Sequence, residues 1–173
     1  MSAGPIFLRM SKQRPRIDMF TAGILAAAAV AAVFHIGSLG LYDDDWAWLA
    51  LMPRSPDASW LGVAAHFART NAGLWVRPLN YLFMPGFFKL FGAAPLAYHL
   101  LLAALTAWGA TAFWRWLKEE GVGRETAALA AILFILWPNH DSTRHWVCLY
   151  SAPAALALTL EALRLRRRRP ALA

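Results

Sequence analysis

Apolar residues in this chain come in long runs, and the polar residues gather between them. From residue 19 to residue 42 no side chain is charged, and residues 26–34 are Ala, Val and Phe alone. About 20 apolar residues are needed to cross roughly 30 Å of hydrocarbon, so the run predicts a membrane span. It exceeds the 7–15 residues or so of a signal-peptide core, which favours a retained signal-anchor over a cleaved leader. Residues 95–117 predict a second span. Residues 126–137 predict a third, short one. Residues 146–163 predict a fourth, in which Pro153 is expected to make a kink.

Pro78–Phe91 is apolar but short, and it contains Pro85, Gly86 and Lys89. A run of this length suits an interfacial or re-entrant helix better than a span. Charge supports the same choice. With four spans and both termini cytoplasmic, the inner side carries Arg9, Lys12, Arg14, Arg16, Arg115, Lys118, Arg124, Arg164 and Arg166 to Arg169, twelve of the 17 Lys+Arg. Arg54, Arg69, Arg77, Lys89 and Arg144 face outward. Making Pro78–Phe91 a span would turn the terminal arginine run outward, against the positive-inside rule. The first outer loop, residues 41–94, is then long. It is expected to hold two juxtamembrane amphipathic helices, 57–70 and 79–91, the first capped by Asp57 or Ser59.

The expected fold is all-α: a polytopic membrane helical protein with about four transmembrane helices and those two juxtamembrane helices. A cytoplasmic basic arm occupies residues 1–18, the membrane domain 19–164 and a basic tail 165–173. Composition agrees. The chain is 59% hydrophobic, against roughly 45–50% in soluble domains, and 16% charged, against about 25%. The net charge of +7 resides at helix flanks, where it sets orientation rather than binding nucleic acid. Cys148 is the single cysteine, and its apolar setting predicts a buried, inert thiol.

In the predicted topology three polar clusters reach the outer face: Asp43, Asp44 and Asp45; Arg77 at the start of the interfacial helix; and His140, Asp141 and Arg144 after Pro138. A carboxylate at a membrane mouth can serve as a general base or hold a divalent cation. Arg suits bidentate phosphate recognition. Each cluster taken alone also reads as a solvated loop or helix end. His140 and His145 are poorly spaced for zinc, and no Cys or Glu completes a metal set. Glycine-rich phosphate loops and hydrolase motifs are absent.

The order of short motifs resembles a known family. Tyr42-Asp43-Asp44-Asp45-Trp46 follows the first span. Arg77-Pro78-Leu79-Asn80 comes next, then Leu90-Phe91-Gly92 with Pro95 and Tyr98-His99-Leu100, and last Pro138-Asn139-His140 with Trp146. Over residues 20–160 this is similar to the N-terminal part of the GT-C membrane glycosyltransferases, nearest the protein O-mannosyltransferases and bacterial family 39-like enzymes. The resemblance implies a polyprenyl-phosphate sugar donor, an acceptor hydroxyl outside the cytoplasm, and residence in a bacterial cytoplasmic membrane. It implies Asp44 or Asp45 as catalytic base, with Asp43, Arg77, His140, Asp141 and Arg144 as candidates for holding phosphate or acceptor. Where relatives often carry an acid two positions after the Pro-x-His histidine, this chain has Ser142. Such enzymes also have many more spans, so a further membrane subunit or C-terminal portion is expected as a partner alongside donor and membrane lipid. A non-catalytic scaffold or lipid-binding subunit of the same fold is the competing reading. An unrelated four-helix membrane protein is the third.

Overall fold

A computed structural model describes residues 18–36, 40–71, 78–137 and 145–168. Within them every regular element is helical, and no strand is present. The elements are α1 (Met19–Ile36), α2 (Asp43–Leu51) with a 3₁₀ turn (Met52–Arg54), α3 (Trp60–Thr70), α4 (Pro78–Phe91), α5 (Pro95–Glu119), α6 (Arg124–Leu136), a 3₁₀ turn (Val147–Leu149), and α7 (Ser151–Arg168). By length and composition, two stretches among the described residues can cross a membrane: Pro95–Glu119 and Val147–Arg167.

Helix α5 is the central element, packed against α1, α6 and α7. Small side chains allow this. Ala28, Ala110, Ala127, Ala128 and Ala131 are buried between α1, α5 and α6 with Ile24, Trp114 and Ile135. Small residues let helix backbones approach closely. Gly109 lies in the α5–α7 contact, where a Cβ would meet the Pro153 carbonyl oxygen at an ordinary 3.6 Å.

One end of this bundle is charged and ionically tied. Arg124 pairs with Asp18 (3.5 Å), joining the starts of α6 and α1. The buried Arg164 donates to Glu119 through Nε (3.1 Å) and Nη2 (2.9 Å), and to Glu161 through Nη1 (2.6 Å). Arg167 pairs with Glu120 at 2.6 Å. The α5–α6 turn closes as a Schellman motif: Gly121 has φ +87°, its N–H reaches the Lys118 carbonyl, and the Val122 N–H reaches Leu117.

The other end carries the α2–α3–α4 layer on a second core of Trp48, Met52, Phe67, Met84, Tyr98 and Tyr150. Helix α3 starts at residue 60 rather than 57, because Ser59 is its cap: the hydroxyl accepts from the Gly62 N–H at 3.0 Å. Asp57 braces that cap by accepting from the Ser59 N–H and hydroxyl at 2.8 and 2.9 Å. These two bonds hold its carboxyl below the usual range. Helix α4 has 14 residues, about 21 Å at 1.5 Å per residue, short of the membrane core. The Trp60 indole N–H donates to the Leu82 carbonyl at 2.8 Å and locks α3 onto α4.

Two expectations are corrected. The Asp43–Asp45 cluster does not end the first apolar helix; it opens a separate helix, α2, where carboxylates favour the positive end of the helix dipole. Pro153 does not kink a long helix. It lies in the first turn of α7, where no intrahelical bond is lost, and the preceding residues form the 3₁₀ turn instead.

Candidate functional site

The site is built outward from Asp45, which is 0% exposed. Its Oδ2 accepts from the Tyr42 N–H at 3.2 Å, which fixes the start of α2. The same oxygen accepts from the Val147 N–H at 3.1 Å, and Oδ1 accepts from the Cys148 N–H at 2.7 Å. One carboxylate thereby ties the acidic turn to a 3₁₀ turn 102 residues downstream. Three backbone donors hold this carboxylate, so it positions the chain at this point. Asp44, one residue earlier, is exposed and free to meet a ligand.

The second tie runs through Tyr150, at the end of that 3₁₀ turn. Its hydroxyl reaches the Leu79 carbonyl at 3.4 Å, and its ring packs edge-on against Phe87 at 5.1 Å. Leu79 is the third residue of the Arg77-Pro78-Leu79-Asn80 motif. The Asp45 and Tyr150 contacts therefore bring together segments flanking all three polar clusters. Arg77, His140, Asp141 and Arg144 themselves lie outside the described residues. Asp43 is the first residue of α2. Among the described residues, no three His, Cys, Asp or Glu gather as a metal-ligand set.

Residues 90–100 form a structural corner next to this site. Gly92 ends α4 at φ +58°, a left-handed conformation natural to glycine. Pro95 starts α5 at a position where its missing N–H costs nothing. Tyr98 is buried and donates to the Gly92 carbonyl at 2.8 Å. His99, 4% exposed, lies 2.9 Å through Nε2 from the Gly40 carbonyl. That contact assigns the proton to Nε2 and leaves Nδ1 buried without a partner. In the sequence Tyr98 and His99 stand out only as part of a motif. Their spacing, one turn into a Pro-initiated helix after a Gly stop, was the available signal for this corner role.

Asn80 was a further residue of unforeseen importance. It is 0% exposed, and among the described residues neither its Oδ1 nor its Nδ2 has a hydrogen-bond partner. It lies in the wall of a cavity of about 670 Å³ between α4, α5 and the start of α7, lined with Phe83, Phe87, Leu105, Trp108 and Leu158. Among the described residues, no Asp, Glu, Lys, Arg or His lines this space. Cys148 is buried.

No family model, no curated protein and no solved structure matches the chain.

Proposed function

We propose that the chain is a membrane-embedded module of the glycosyltransferase type. In this reading α1, α5, α6 and α7 are four spans, the termini are cytoplasmic, and the α2–α3–α4 layer lies at the outer interface. The observation carrying it is the double tie through Asp45 and Tyr150, which gathers the flanks of the three polar motifs at one end of the bundle. The ion pairs at the opposite end bring the starts of α1 and α6 together with the ends of α5 and α7. This agrees with the inward placement of basic residues.

In the proposed reaction Asp44 accepts the proton of an acceptor hydroxyl. The hydroxyl oxygen bonds to the sugar C1 as the C1–O bond to the polyprenyl phosphate breaks, and the leaving phosphate takes the electron pair. Asp45 holds the turn that presents Asp44. Arg77 and His140 are candidates for the leaving phosphate. The test is transfer from a radiolabelled polyprenyl-phosphate sugar in membranes containing the full chain. Asp44→Asn should lower transfer by roughly 10²-fold or more, the usual scale for loss of a general base. Full activity in that variant removes Asp44 from the reaction.

A second reading, a lipid-binding scaffold or subunit without catalysis, is favoured by a cavity whose described lining carries no charge and by the structural use of Asp45. It predicts no transfer by this chain alone, and lipid retention on purification that is unchanged in Asp44→Asn.

A further inference from the structure

The cavity at Asn80 joins two features that rarely occur together. Its walls are mostly apolar, with Tyr150, Ser151 and Thr159 among them, and come from α4 and from α5 and α7, which overlap the two stretches able to cross a membrane. A space of about 670 Å³ falls within the roughly 300–1,000 Å³ of small-ligand sites. Yet a carboxamide with two unsatisfied atoms is buried in its wall. Buried polar groups are nearly always hydrogen-bonded, and each exception calls for a reason. Asn80 is fully buried, so contact with an occupant requires its amide to turn toward the space it borders.

We propose that this cavity binds the chain of an uncharged membrane lipid whose hydroxyl or amide completes the hydrogen bonds of Asn80. The apolar walls select hydrocarbon. Among the described residues, the lining supplies no cation for a phosphate and no carboxylate for an amine. A carboxamide offers a donor and an acceptor side by side, which matches a neutral group able both to donate and to accept. The Trp108 and Leu158 side chains are partly open to the surroundings, which leaves a route for a chain entering sideways from the bilayer. The inference rests on membrane embedding and not on sugar transfer.

The experiment is photolabelling of the full chain in membranes with three diazirine probes of equal chain length: a long-chain alcohol, the matching alkane, and the matching phosphate monoester. The alcohol should label peptides containing Phe83, Trp108 or Leu158 about tenfold more than the alkane. Asn80→Leu should remove that preference. It should also leave the thermal midpoint of the unliganded protein equal or higher, since it replaces an unsatisfied buried amide with an apolar side chain. Ala155→Phe, which places a ring into the cavity from an exposed position on α7, should block labelling with the fold intact. Equal labelling by alcohol and alkane, unchanged preference in Asn80→Leu, or preferred labelling by the phosphate each overturns the proposal. Outward residues Leu129 and Leu133 of α6 report embedding separately. If the alkane fails to label them, the membrane reading falls as well; if it labels them while the cavity shows no preference, only the inference falls.

Discussion

Asp45 and Asp44 are adjacent and chemically identical, and their surroundings give them different tasks. Removing the Asp45 carboxylate takes an acceptor from the buried Val147 and Cys148 N–H groups, and a buried donor left unsatisfied costs ~1–3 kcal/mol. Asp45→Ala should therefore lower the unfolding midpoint of the purified protein by several degrees. Asp44→Ala should leave stability within about 0.5 kcal/mol, as surface changes usually do. Equal melting of the two variants would contradict the tie. Asp18 makes a different prediction. Its carboxyl is held below the ordinary 3.8 by the Thr21 N–H, by the Phe20 N–H and by Arg124. A depressed value means that its stabilisation is complete above the ordinary value and is lost as pH falls through the folded value. Exchange of the Phe20 and Thr21 amides, corrected for its intrinsic pH dependence, should accelerate across that acid window. Asp18→Asn should remove most of that pH dependence.

At the scale of elements, termini are set by local chemistry and relative placement by a few long-range bonds. Gly92 and Gly121 end α4 and α5 with positive φ. A side chain in that conformation costs roughly 1–2 kcal/mol, although neither position has atoms within 4 Å of a Cβ. Gly92→Ala and Gly121→Ala should each destabilise by that amount in denaturant unfolding, and a neutral effect would show that the corner can relax. Arg164 fastens α7 to α5. Its side chain is 9% exposed and those of Glu119 and Glu161 are 26% exposed. Breaking a buried pair costs ~3–5 kcal/mol, and partial solvation of the acids should bring Arg164→Met toward the lower figure. Adding Glu119→Gln and Glu161→Gln should recover part of the loss. Arg164→Lys should not, because an ammonium cannot span both carboxylates with a guanidinium's planar fork.

For the whole molecule, topology is the deciding property. Single cysteines at Ser11, Ser55, Gly123 and Ser142, in a background lacking Cys148, test it in intact cells. Ser55 and Ser142 should react with an impermeant reagent from outside, and Ser11 and Gly123 only after permeabilisation. Labelling of Gly123 from outside would invert the arrangement and put the acidic turn on the cytoplasmic side. Gly123 tolerates a cysteine in this test, since its φ is −54°.

The helical class, the positions of α3, α4, α5 and α6 to within a few residues, and the burial of Cys148 were legible in the chain itself. Apolar runs, the Ser59 cap and the Gly-Pro punctuation at Gly92 and Pro95 are local signals, and they act through the backbone of neighbouring residues. Helix α2 was missed because a short acidic start after a long apolar run reads equally well as the end of that run. The 3₁₀ turn before Pro153 was missed because composition alone continues the helix through it. What separates Asp45 from Asp44 was not legible, because the donors that bury Asp45 are backbone groups 102 and 103 residues away. The unsatisfied amide of Asn80 is likewise a property of packing between α4, α5 and α7. Sequence spacing determines which side chains share a helix face. Whether a carboxylate meets water or three N–H groups depends on which distant backbone the fold brings beside it.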